Sequence, residues 1–115
     1  MYFRNAQHEN NFYSFLARAG KSEHCSEPDY LAAIYILSSL AEDHPVIEKC
    51  IHPDSINFGL LSRIGTGITA ALIHLAMDVF NPFFWPCHSV QEFIRENDPY
   101  YGRIVMNAIK IRHLV

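Results

Sequence analysis

Apolar positions recur at three- and four-residue steps along nearly the whole chain, and the breaks in that rhythm divide it into helices. In residues 66–80, Ile68, Leu72, Leu75 and Val79 make one stripe, which Ile73, Ala76 and Phe80 widen. A helix apolar on most of its circumference has to be surrounded by protein or lipid. At about 15 residues, interrupted by His74 and Asp78, this one is too short and too polar to cross a bilayer. It is expected as the buried central helix of an all-α bundle.

The same reading orders the rest. Residues 5–19 predict a first helix, with Asn5 as N-cap, Gly20 as its left-handed stop, and His8, Phe12, Phe15, Leu16 and Ala19 turned inward. Pro28 opens a second helix through residue 42, carrying the unbroken apolar run Y-L-A-A-I-Y-I-L. A buried strand has similar content, but the alanines, the length and the proline start favour helix. Tyr30 and Tyr35 are expected to bury their rings and reach a surface with their hydroxyls. Pro45 starts a short helix to Cys50, and residues 52–64 predict either another short helix or an irregular crossing segment. Ser89 and Glu92 form a capping box before a short helix to Glu96. Asp98 and Pro99 start a last helix to about His113, with Tyr101, Ile104, Ala108, Ile111 and Val115 on its inner stripe. The expectation is one domain over residues 1–115, with about four main helices and two or three short ones.

Composition adds an interface to this picture. Half the residues are hydrophobic and 18% are charged, against roughly 25% in an average domain. So little polar material suggests that another subunit covers part of the outside, and a homodimer is expected. The net charge of −3, without a basic block, excludes the strongly positive footprint of a nucleic-acid binder. No signal core and no membrane-length apolar stretch is present, so the chain is expected in the cytoplasm without a membrane partner. Three cysteines suit reduced thiols there.

Chemical candidates are few. Gly67, Ala70, Ala71, His74 and Asp78 share the remaining face of the 66–80 helix, where small residues let a neighbour approach and His74 and Asp78 can touch. The ordinary reading is a hydrogen bond that locks packing; the sharper one is an acid–base or metal-ligand pair. His8, heading an apolar stripe, is either a packed histidine with one wet nitrogen or a ligand. The Cys50/His52 and Cys87/His88 neighbours, like His24/Cys25, offer thiolate and imidazole, zinc's preferred ligands. Their spacing is unlike that of closed zinc sites. Gly65 and Gly67 at a helix start match no phosphate or dinucleotide fingerprint, so no cofactor is expected. Between two prolines, Phe83, Phe84 and Trp85 form either a plug for the bundle's end or a partner-binding patch.

The opening Y-F-R-N-A-Q-H-E-N-N-F-Y, then Y-L-A-A-I-Y-I-L, C-I-H-P-D-S-I and L-A-M-D-V-F-N in that order, resemble a small family of uncharacterised Firmicutes proteins. Members often lie near phage genes and are classed as a domain of unknown function. The resemblance implies no activity and no catalytic residues, and points to a phage- or mobile-element-linked accessory role. The expected function is a non-enzymatic interaction protein, with a small hydrolase or metal-binding protein centred on His8, His74 and Asp78 as the alternative.

Overall fold

The computed structural model describes residues 2–24, 26–81 and 101–113. Six helices occur among them: α1 (Ala6–Arg18), α2 (Pro28–Ser38), α3 (Ile47–Cys50), α4 (Phe58–Leu61), α5 (Gly67–Phe80) and α6 (Tyr101–His113). No strand joins them; an isolated antiparallel bridge links Ile51 to Ile56. The fold is the expected all-α bundle, four long helices and two of a single turn. No helix of the described residues is long and apolar enough to cross a membrane.

The helix at the centre is α2, and this corrects the placement expected for 66–80. Every residue from 30 to 40 is buried, and α2 packs against α1, α5 and α6. Its sequence explains why. Tyr30 through Leu37 offer no charge to any face, and Ala32 and Ala33 let neighbours close in on two sides. Alone among such elements, a helix satisfies its own mid-segment backbone groups, so a run this apolar can be wrapped without a partner strand. The helix stops at Ser38, and residues 39–43 continue as turns.

Around α2, α5 contributes one face. Leu72, Ile73, Leu75, Ala76 and Val79 are buried, while Ala70, His74 and Met77 are exposed. The narrow face of small residues therefore receives no long helix among the described residues, only the single turn of α4 beside Ala70 and His74. His74 and Asp78 are the reason: two polar groups one turn apart keep that side wet, whereas α2 has no charged group between Tyr30 and Leu37.

Helix α1 has the expected caps. Asn5 Oδ1 accepts the His8 backbone N–H at 2.8 Å. Gly20, at φ +71°, closes the other end as Lys21 N–H reaches Leu16 O at 2.8 Å and Gly20 N–H reaches Ala17 O at 3.0 Å. The inward stripe is His8, Phe12, Phe15 and Leu16. On α6, Ile104, Val105, Ala108 and Ile111 are buried as the periodicity predicts, together with Gly102. Asn57 Oδ1 caps α4, at 3.1 Å from Leu60 N, resolving residues 52–64 as the Ile51–Ile56 bridge followed by one helical turn. The expected capping box at Ser89 and the Asp98–Pro99 start lie outside the described residues.

Because α2 is enclosed and α5 is half-exposed, equal truncations on the two should differ. Ile34→Ala is expected to cost about 2–5 kcal/mol, and Met77→Ala, at an exposed position, within about 0.5 kcal/mol. Urea unfolding followed by circular dichroism measures both; equal costs would contradict the central position of α2.

Candidate functional site

A buried helix end needs partners for its last carbonyls, and those of α2 are met by side chains from the first eleven residues. His8 Nε2 donates to Tyr35 O at 2.9 Å, Asn11 Nδ2 reaches Ser38 O at 3.5 Å, and the Arg4 guanidinium donates to Ser39 O at 3.2 Å. Ser38 and Ser39 add hydroxyl bonds back to Tyr35 O and Ile36 O. Among the described residues no buried side-chain polar atom lacks a partner.

His8 is the hub of this junction. Its other nitrogen, Nδ1, accepts the Arg4 backbone N–H at 3.0 Å, so the ring is neutral with its proton on Nε2. Both nitrogens are thus taken by protein, and the residue is 1% exposed; neither is wet. Burial lowers its pKa from 6.5 to about 4, the Tyr35 carbonyl pulling the other way and the Arg4 charge adding to the depression. Phe3 and Tyr35 flank the ring, with centroids 5.1 and 4.9 Å away. The Tyr35 hydroxyl donates to Tyr2 O and that of Tyr30 to His52 O at 2.9 Å. Both phenols end on backbone carbonyls, where a surface position was expected, and burial holds the Tyr35 phenol un-ionised.

The other two members of the expected trio lie on the outer face of α5. His74 Nε2 and Asp78 Oδ2 are 3.7 Å apart, with side chains 67% and 41% exposed, a separation at which a solvated pair contributes little. Beside them α4 and α5 enclose an open groove of about 180 Å³ lined by Phe58, Leu61, Ala70, Ile73, His74 and Met77. Periodicity alone did not reveal this groove. Its signal was Gly65: a Cβ there would stand 2.9 Å from Ala70 N and 3.1 Å from Ala70 Cα, so glycine lets the loop fold tightly onto the start of α5.

Cys50 is a buried free thiol whose Sγ faces Val46 O at 3.5 Å, and burial raises its pKa. His52, two residues on, is exposed. No group of three or more His, Cys, Asp or Glu side chains that could hold a metal ion occurs among the described residues; His8, His74 and Asp78 are not such a group. Cys87, His88, Phe83, Phe84 and Trp85 lie outside the described residues. No family model matches the chain, and no curated protein or solved structure matches it.

The arrangement can therefore do two things: hold a pH-sensitive joint at His8, and offer an apolar groove at α5. Between pH 6.5 and 4 the unfolded chain binds a proton at His8 that the folded chain refuses. Stability is full above pH 6.5 and falls as pH drops through that window, by about 2 kcal/mol at pH 5. The urea midpoint should fall accordingly between pH 7.5 and 5, and less in His8→Gln, which keeps a donor and an acceptor but gains no proton. A pH-independent wild type would contradict the buried neutral ring. At the groove, Gly65→Ala is expected to cost about 1–3 kcal/mol, read from the same unfolding curves.

Proposed function

We propose that the protein is a small non-enzymatic interaction protein that pairs with a second copy of itself through the outer face of α5. The carrying observation is the groove between α4 and α5, an apolar trough beside a half-exposed His74–Asp78 pair. The pairing of an imidazole with a carboxylate on one face favours a like partner. In an antiparallel pair about a two-fold axis level with Ala76, His74 of each copy lies across from Asp78 of the other. A two-fold interface must be self-complementary in this way. Met77, 41% exposed, lies one residue from that axis, where a flexible thioether adapts to the contact. The low charged fraction of the chain, 18%, fits a surface of this kind. One helix face with a short flank makes a small interface, in the range below about 1,200 Å² where association is weak. The accessory role near phage or mobile-element genes and the cytoplasmic location belong to the same proposal; the first rests on the family resemblance and the second on an odd count of three cysteines, which suits reduced thiols.

Sedimentation equilibrium at micromolar concentration tests this. A dimer is expected, and Met77→Glu should weaken it at least ~10-fold while leaving the helical circular dichroism unchanged. A monomer at every concentration overturns the proposal. So does a dimer indifferent to Met77→Glu, and one that Trp85→Ala dissociates instead would move the contact to the Phe83, Phe84, Trp85 loop.

A further inference from the structure

We infer that residues 2–4 form an acid-released strap: protonation of His8 detaches them from the bundle while Asn5 goes on capping α1 and the helices stay packed, uncovering an aromatic surface. The geometry lies in the unequal roles of the two imidazole nitrogens. Nε2 donates to Tyr35 O and goes on donating when the ring is charged, so the joint between α1 and α2 survives. Nδ1 accepts from Arg4 N–H and can do so only while the ring is neutral. A second proton turns that acceptor into a donor facing a donor. One protonation thus breaks the strap's bond and spares the helix's.

The strap's other holds are few and local. Phe3 lies against His8, Phe12, Tyr13 and Tyr35, with ring centroids 5.1 to 6.0 Å apart. Tyr2 O accepts from Tyr35. The Arg4 guanidinium bonds Ser39 O and sits 5.3 Å from the centre of the Tyr101 ring; Arg103 lies 5.7 Å over Tyr2. The packing of α2 against α5 and α6 passes through none of these contacts, so the strap can open at less cost than the whole domain.

Of the charges near the ring, Arg4 acts on it directly and favours release, while the Arg103 contact with Tyr2 opposes it. From the strap, the Arg4 guanidinium repels a charged His8 and is named among the causes of its lowered pKa. From α2, the Tyr35 phenol stays neutral, its pKa raised by burial. On α1, Glu9 is exposed. From α6, Tyr101 and Arg103 touch the strap. Release would bare Phe3 and the rings of Phe12 and Tyr35, an apolar patch absent at neutral pH.

Amide and imidazole nitrogen spectra of the full chain from pH 7.5 to 4 test this. The Arg4 amide should move to its random-coil position with a midpoint between 6.5 and 4, together with the His8 ring, while the Ile34 amide in α2 stays put. Phe3→Ala, which loosens the strap without touching the imidazole bonds, should raise the midpoint toward 6.5, and His8→Gln should abolish the transition. Three results overturn the inference: an Arg4 amide unmoved while His8 titrates, Arg4 and Ile34 signals lost together at one midpoint, or the same transition in His8→Gln. Should His8→Gln fail to fold, the wild-type comparison of Arg4 with Ile34 decides alone.

Discussion

A helix enclosed on every side has to find protein donors for its last carbonyls, and the arrangement of the first forty residues follows from that. Burying Leu31, Ile34, Ile36 and Leu37 contributes about 1.5–3 kcal/mol each. An unpaired buried carbonyl, though, costs a comparable amount. The turn that follows supplies Ser39 N–H to Ile36 O and Leu40 N–H to Leu37 O; the other donors are His8 and Asn11 from α1, Arg4 from the segment before it, and the hydroxyls of Ser38 and Ser39. The amino-terminal segment is thus part of the packing of a helix thirty residues away.

These bonds also choose the register of α1 on α2. Apolar contacts alone would let α1 slide, since Phe12, Phe15 and Leu16 recur at steps that a displacement of one turn nearly reproduces. A slide of that size would carry His8 away from Tyr35 O and leave its Nε2–H buried and unpaired. The aromatic cluster of Phe3, His8, Phe12, Tyr13 and Tyr35, every neighbouring pair in edge-on or tilted geometry, then packs only in the register the polar bonds allow. The imidazole serves this purpose because it offers one donor and one acceptor on a flat ring, at the cost of a group that titrates.

Much of this was legible beforehand, and the failures have physical causes. Periodicity identified His8, Phe12, Phe15 and Leu16 as the inward face of α1 and Ile104, Ala108 and Ile111 as that of α6, while Ala19 and Tyr101 are only half-buried; Asn5, Gly20 and Pro28 marked ends that the structure keeps. The ranking of α2 and α5 was inverted. Both are rich in apolar residues, but α5 reads as central only if His74 and Asp78 are discounted, and two charged or polar groups one turn apart are enough to keep a face in water. His8 stood out because a histidine at the head of an apolar stripe is rare. Its partners could not be read, since Tyr35 O and Arg4 N are backbone atoms and carry no residue-type signal. The groove by α5 was equally silent: its walls come from α4, a single turn in the stretch where the pattern was weakest, and only Gly65 hinted that two segments meet closely.

The contrast between the two histidines bears on what the protein is for. His8 has every polar atom used in holding the fold together, so its chemistry is already committed to structure. Among the described residues His74 is held by nothing the fold needs: its pairing with Asp78 is long and solvated, and the residues around it, Ala70 and Met77, are apolar where the stability of the lone chain asks for no apolar side chain. A monomer gains little from exposed methionine beside alanine at such a place, and charged residues there would improve its solubility. A second surface set against this face gives those residues a use, which is why the outer side of α5, rather than the buried imidazole, is the place to look for the protein's role.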